Sequence, residues 1–222
     1  MLKLLDLEIR NPTDLSLEDY KAAQHIVTMN IEQLVLADED FDYKKVLKEA
    51  CCIIPDGESI ALLSRLLGKP VKKYAGIDLA SDLINNSENV VFWGASEEVN
   101  DTLKDSFQNG IYFQNGFYDH EDEITLIDKI PKAKIDLFLV ALGSPRQELF
   151  INKYKDYFPD TTFIGVGGSF DIWAGKLARA PKYMIDMKLE WLYRIYQEPY
   201  RIRKFSKNLL ALLKFLFYNG SI

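Results

Sequence analysis

Cys51-Cys52-Ile53-Ile54-Pro55-Asp56-Gly57-Glu58-Ser59-Ile60-Ala61-Leu62-Leu63 reads as a strand, a polar turn and the first turns of a helix. The apolar run that ends at Pro-Asp-Gly is too short for a helix and is unbroken by polar residues, as expected of a strand buried on both faces. From Ser59 to Leu67 apolar residues recur at spacings of three and four, the pattern of an amphipathic helix. Strand, turn and helix in this order make half of a βαβ unit.

The same order recurs on both sides of this stretch. Strands are predicted at His25–Met29, Cys51–Ile54, Asn89–Trp93, Asp136–Ala141 and Thr162–Val166. Helices are predicted at Ile31–Ala37, Tyr43–Ala50, Ser59–Leu67, Leu79–Asn85, Glu97–Phe107, Glu121–Ile130 and Pro145–Phe158. This alternation predicts an α/β fold: a Rossmann-like, mostly parallel sheet flanked by helices. In such sheets ligands bind outside the carboxyl ends of the strands. The turns at Thr28–Asn30, Pro55–Gly57, Gly94–Ser96, Gly143–Pro145 and Gly165–Gly168 are therefore expected to line one crevice. After about Ala174 the strand pattern stops, and Pro181 and Pro199 punctuate a helical tail. Pro199 is placed to open a last helix, Tyr200 to Phe217, because its missing N–H costs nothing in a first turn. The expected division is an α/β domain over 1–178 and a helical C-terminal appendage over 179–222.

The chain has 222 residues, 48% of them hydrophobic and 27% charged, enough to build a core and too apolar for a disordered chain. The first residues carry Lys3, Asp6, Glu8 and Arg10 and do not read as a secretory leader. The apolar tract Leu209–Tyr218 is broken by Lys214 and falls short of the roughly 20 residues that span a bilayer. Adjacent Cys51 and Cys52 read as reduced core residues of a cytosolic protein.

A net charge of −6 argues against a general nucleic-acid binder. The charge is unevenly spread. From Lys176 to Lys214 ten Lys/Arg face three Asp/Glu, a balance of +7, which leaves −13 on the rest. The same tail holds Tyr183, Trp191, Tyr193, Tyr196, Tyr200, Phe205, Phe215, Phe217 and Tyr218. Basic and aromatic residues at helical spacing suit a segment lying on an anionic membrane surface. They equally suit a helix packed on the body with its basic face in water.

Several residues have the chemistry for a reaction. Asp56 follows a strand and precedes Gly57 and a helix, where a carboxylate serves as a general base or as a helix cap. Thr28 and Asn30 close a strand and can bond a sugar hydroxyl or phosphate oxygen, or cap the next helix. Gly143, Ser144 and Pro145 bring backbone N–H groups of a helix start toward an anion. Gln147 can hydrogen-bond a diphosphate or sugar, and Glu148 can complete a capping box with Ser144. Gly165, Gly167 and Gly168 allow close approach to a ligand, but their spacing is not G-x-G-x-x-G and no P-loop lysine follows. Asp38-Glu39-Asp40-Phe41-Asp42 contains two Asp-x-Asp matches, yet lies between helices and reads as a solvated acidic turn. His25 and His120 are too few and too far apart for a zinc set, so no metal is expected.

Six blocks in order carry a specific resemblance: IVTMNIEQLVLA, IIPDGESIALLSRLLGKP, YAGIDL, ALGSPRQE, GVGGSFDIWAGKLARAPKYM and LEWLYRIYQEPYRIRK. From about Gln24 to Lys204 the chain resembles the WecG/TagA/CpsF family of bacterial glycosyltransferases (glycosyltransferase family 26). The resemblance implies transfer of N-acetylmannosamine or its uronic acid from UDP to undecaprenyl-diphosphate-linked N-acetylglucosamine (GlcNAc), in teichoic acid or related polymer synthesis. It implies an inverting reaction with no metal cofactor, Asp56 as general base, and Thr28 and Asn30 in the donor pocket. It places Arg65 near the diphosphate, Gln147 near the sugar, and Gly167, Gly168 and Asp171 around the nucleotide. Arg194 and Arg201 of the appendage would neutralise the departing UDP, where negative charge builds. Gly57, Gly94, Gly143 and Ser144 would line the substrate crevice. The expected location is the cytoplasmic face of the membrane, with self-association open.

The chain departs from that pattern in a short segment before His25, in the turn Val91-Phe92-Trp93-Gly94-Ala95-Ser96, and in Lys204 where an arginine is usual. Lysine keeps the charge but loses the bidentate fork. Two other readings share the α/β pattern: a non-catalytic nucleotide-sugar binding module, and an S-adenosylmethionine or NAD enzyme, for which the fingerprint is missing.

Overall fold

The computed structural model describes residues 1–119, 121–131 and 133–219, with the side chains at 201, 203–206, 218 and 219 excepted. Its strands are β1 (Leu2–Leu4), β2 (Leu7–Ile9), β3 (His25–Met29), β4 (Cys52–Pro55), β5 (Val90–Gly94), β6 (Gly110–Gln114), β7 (Leu137–Ala141) and β8 (Thr162–Gly165). Between the strands lie α1 (Leu17–Lys21), α2 (Ile31–Glu39), α3 (Phe41–Lys48), α4 (Glu58–Leu66), α5 (Gly76–Asn85), α6 (Glu97–Ser106), α7 (Glu123–Asp128) and α8 (Arg146–Tyr154). After the last strand come α9 (Ser169–Trp173), α10 (Lys182–Asp186), α11 (Glu190–Gln197) and α12 (Ile202–Asn219).

The strands form one sheet in the order β1-β2-β4-β3-β8-β7-β5-β6. All pairings are parallel except the β1–β2 hairpin. The five strands read from the sequence are buried on both faces, which is why their apolar runs do not alternate. Apolar clusters cover both faces: one packs Ile26, Ile54, Phe92 and Leu139 under α5 and α6, and others pack Val27, Ile53, Phe138 and Phe163 under α2, α3 and α8.

Four features correct the sequence reading. The N-terminal hairpin and the strand β6 were not expected. Leu2, Leu4, Leu7 and Ile9 are buried while the residues between them face out, and three-residue strands are too short to show that alternation clearly. β6 is an edge strand with every residue half-buried, so it lacks a fully apolar run. Cys51 is exposed, and Cys52 alone joins the core. The last helix starts at Ile202, because Pro199–Arg201 forms a separate 3₁₀ turn.

The appendage packs on the body. Phe215 of α12 is buried with Leu34 and Ile60, which belong to α2 and α4. Lys207 pairs with Glu39 at 3.0 Å, and Lys214 pairs with Asp38. Asp40 caps α3 by accepting the Tyr43 N–H at 3.0 Å. The Asp-x-Asp stretch thus serves as a cap and a dock for α12. Among the described residues no group of three or more His, Cys, Asp or Glu is placed to hold a metal ion, and no helix is long and apolar enough to cross a membrane.

Candidate active site

β4, β3 and β8 are neighbours, so the turns at Pro55–Gly57, Thr28–Asn30 and Gly165–Gly168 converge at one end of the sheet. The helices that follow β3 and β8 leave to opposite faces of the sheet: α2 after β3 packs with Val27 and Ile53, and α9 after β8 packs with Ile26 and Ile164. This is a topological switch point, the place where open α/β sheets bind ligands.

Asp56 sits at its centre. Its backbone N–H donates to the Met29 carbonyl at 2.7 Å, which fixes the end of β4 against β3. Its carboxylate keeps an edge open to the cleft but is otherwise walled in. Burial pushes its pKa up to about 6, Lys73 and Arg194 pull it down, Glu190 pushes it up, and the Gly76 N–H at the start of α5 bonds the charged form. The sequence suggested a capping aspartate as the alternative; α4 has no side-chain cap bond at its N-terminus.

Gly76 explains why the Tyr74-Ala75-Gly76 stretch must have glycine. A Cβ there would come within 2.9 Å of Thr28 Oγ1, so only glycine lets α5 point its first N–H at Asp56. Thr28 is buried at the cleft wall, its hydroxyl 3.5 Å from the Gly165 carbonyl.

The far wall is the appendage. Ile172, Leu177–Ala180, Glu190, Tyr193, Arg194, Gln197 and Glu198 close over Thr28, Asp56 and Ala75–Ile77. Lys73 holds Glu190 at 2.7 Å, the Gln197 amide pairs with both the N–H and the carbonyl of Ala178 at 2.9 and 2.8 Å, and Arg179 pairs with Asp78 at 2.7 Å. The enclosed cavity is about 90 Å³. Sites for drug-sized ligands occupy about 300–1,000 Å³, so the cleft in this structure is smaller than such a site.

The fold therefore brings Thr28, Asp56 and Arg194 together. A Cβ on Gly168 would lie 3.5 Å from Arg194 Nη2, so the guanidinium reaches the glycine turn after β8. Gln147 lies behind that turn, buried, with its Oε1 accepting the Gly167 N–H at 3.1 Å. Gly57 and Gly143 stand at the ends of β4 and β7, with open space where a side chain would be. Asn30 caps α2: its Oδ1 accepts the Gln33 N–H at 3.2 Å while Gln33 Oε1 accepts the Asn30 N–H at 2.9 Å. Ser144 donates to Glu148 at 2.9 Å, side chain to side chain, and does not cap α8.

Three residues lie off the cleft. Arg65 is on the outer face of α4, tied to Glu58 at 3.6 Å and to the Ala61 carbonyl at 3.1 Å. Gly94 is glycine because a Cβ would fall 2.4 Å from the Ala141 carbonyl oxygen, which is a packing reason. Asp171 is on α9, 4.0 Å from Lys176. The side chains of Arg201 and Lys204, and His120, lie outside the described residues. Lys73 and Glu190 were missed by sequence reasoning. The one signal was a lysine just before the Tyr74-Ala75-Gly76 turn, and nothing local links it to a glutamate 117 residues on.

An α/β sheet with a carboxylate at its switch point and an arginine-bearing helix closing over it can serve group transfer from an anionic donor. The profile of the "Glycosyl transferase WecG/TagA/CpsF family" matches residues 5–220, and the chain belongs to this family of glycosyltransferases. It is 36% identical over 211 residues to an N-acetylglucosaminyldiphosphoundecaprenol N-acetyl-beta-D-mannosaminyltransferase of Bacillus spizizenii strain W23, covering 88% of this chain and 81% of that protein. A protein of the same name from Bacillus subtilis strain 168 is 32% identical over 197 residues, covering 84% of this chain and 76% of the relative.

Proposed function

We propose that the enzyme transfers N-acetylmannosamine, or its uronic acid, from UDP to undecaprenyl-diphosphate-linked GlcNAc, with inversion and without a metal ion. The observation that carries this reading is Asp56 at the switch point with Arg194 in the same cleft. The names of the two Bacillus proteins support the sugar and the acceptor.

Asp56 accepts the proton of the acceptor hydroxyl as that oxygen attacks the anomeric carbon. The bond from this carbon to the UDP oxygen breaks, and UDP departs with the electron pair. Arg194, supplied by α11, faces the growing negative charge. A buried carboxyl of raised pKa suits this role, since it holds a proton better than a free aspartate and is still ionised at neutral pH. Arg201 and Lys204 are proposed to add to this charge, and Thr28 to hold the sugar.

The lipid acceptor gives the appendage a second use. Leu209, Leu210, Leu213 and Phe217 form an exposed apolar face on α12, and Trp191, Tyr196 and Tyr200 are exposed nearby in sequence. We place this face on the cytoplasmic leaflet, where basic and aromatic residues meet anionic headgroups.

The test is UDP release from a panel of UDP-sugars with a short-chain lipid diphosphate–GlcNAc acceptor, in EDTA, for the parent and Asp56→Asn. Turnover with UDP-N-acetylmannosamine or its uronic acid that survives EDTA and collapses in the mutant is the expected result. UDP binding without turnover on any donor would favour a binding module. Leu210→Glu with Leu213→Glu should abolish sedimentation with anionic vesicles, and unchanged sedimentation would refute the docking face.

A further inference from the structure

Behind the cleft lies a buried carboxylate with no cationic partner among its hydrogen bonds. Glu148 is 2% exposed. Its Oε1 accepts from Gln147 Nε2 at 2.7 Å, from Gln33 Nε2 at 2.9 Å and from the Ser144 hydroxyl at 2.9 Å. Its Oε2 accepts from the Tyr43 hydroxyl at 3.1 Å. Four donors, from α2, α3, the β7–α8 turn and α8, thus meet the carboxylate, three of them on Oε1 and one on Oε2.

Burial pushes the Glu148 pKa up, while the bonds from Gln147, Ser144 and Gln33 favour the charged form, and in that form a carboxylate only accepts. Any amide that touches it must turn its nitrogen inward and its oxygen outward. Gln33 does so, and its oxygen meets the Asn30 N–H at 2.9 Å. Gln147 does so as well, and its oxygen meets the Gly167 N–H at 3.1 Å. Close packing leaves the Gln147 side chain little room to turn over: a Cβ on Gly165 would fall 2.5 Å from its Nε2.

We propose that Glu148 is a positioning residue that locks Gln147 with its amide oxygen on the Gly167 N–H, and so holds the glycine turn after β8 in the place where Arg194 meets it. The same web ties Asn30, at the end of β3, to the turn after β8 that Arg194 reaches. This inference rests on the transferase reading for its activity test, but the orientation of Gln147 does not depend on it.

The test compares Glu148→Gln, Gln147→Ala and the double variant. Glutamine at 148 keeps the shape but brings its own N–H₂ to a place already filled by donors, so one amide must flip or lose its bond. A loss in kcat/KM of about tenfold or more is expected for Glu148→Gln. The loss should vanish in the Gln147→Ala background, because residues acting through one another are non-additive. Additive losses, or parent-like turnover of Glu148→Gln, would overturn the proposal. Should no donor be turned over by the parent, the side-chain amide NMR signals of Gln147 and Gln33 decide. They are expected to exchange slowly in the parent and to shift in Glu148→Gln, and unmoved signals would overturn the proposal. If Glu148→Gln does not fold, Tyr43→Phe removes one donor from the same carboxylate. A several-fold loss, again absent in the Gln147→Ala background, is then expected, and its persistence there would refute the idea.

Discussion

Lys73 and Glu190 meet at 2.7 Å across the cleft mouth, joining the loop after α4 to the first turn of α11. Both charges act on Asp56, and in opposite senses: Lys73 favours its ionised form and Glu190 opposes it. Removing either partner loosens α11, so loss of activity alone says little. The acid limb of the pH–rate profile separates them. Glu190→Gln should move that limb to lower pH, and Lys73→Met should move it higher, each by about half a pH unit or more at the screening typical of such sites. Shifts in the same direction would mean that the pair acts on something other than Asp56.

The raised pKa of Asp56 has a stability consequence with a definite sign. Its folded value, about 6, lies above its ordinary value of 3.8. The folded state therefore binds this proton more tightly than the unfolded chain does. The associated stability is full below about pH 4 and is lost as pH rises through 6. At pH 7.5 the ionised Asp56 is a liability. Asp56→Asn should be inactive yet more stable by about 1–2 kcal/mol at pH 7.5, with the gap closing toward pH 4. Denaturant melts at the two pH values measure this, and a variant less stable at pH 7.5 would contradict it.

Much of this site was legible from strands that could not be read otherwise. Runs such as Val90–Gly94 and Leu137–Ala141 are buried on both faces, so their residue types declare a parallel sheet and their ends declare the crevice. Thr28 and Asp56 were found that way, and Arg194 through the family resemblance alone. What stayed hidden depends on contacts between distant segments. Arg65 lies within the strand–turn–helix block that carries Asp56, but helical phase turns it outward to Glu58, and the cations that act on Asp56 are Lys73 and Arg194. Glu148 looked like a capping partner of Ser144. Its role in joining α2, α3 and α8 appears only when Gln33 and Tyr43, more than a hundred residues earlier, pack against it. The β1–β2 hairpin was missed because its buried leucines are separated by single polar residues over only three positions.

The appendage lends Arg194 to the cleft and Phe215 to the core, and the two can be separated. Phe215 is 1% exposed and packs with Leu34 and Ile60 at the edge of the body, away from Asp56. Phe215→Ala should cost about 3 kcal/mol of stability while leaving the kcat of the remaining folded enzyme near the parent value. Ending the chain after Asp186 removes α11 and α12 together. The sheet loses no strand, so far-ultraviolet dichroism should still show an α/β fold, melting lower than the parent because the α2–α4 surface is uncovered. That body should be inactive, since Arg194 and Glu190 are gone. A truncated chain with full activity would remove α11 from the mechanism.

His25 gives the fold an acid limit that is independent of the cleft. It starts β3, is fully buried, and neither ring nitrogen has a partner among the described residues. Burial, with a smaller push from Lys155, drops its pKa to about 3 from an ordinary 6.5. The folded state therefore resists a proton that the unfolded chain accepts. The contribution is full above about pH 6.5 and is lost as pH falls toward 3, at about 1.4 kcal/mol per pH unit. Near pH 5 this amounts to about 2 kcal/mol. His25→Leu keeps an apolar side chain of similar size and cannot be protonated. It should melt close to the parent at pH 7.5 and well above it at pH 5. Parallel melting curves for the two proteins across that range would show that His25 does not set the acid limit.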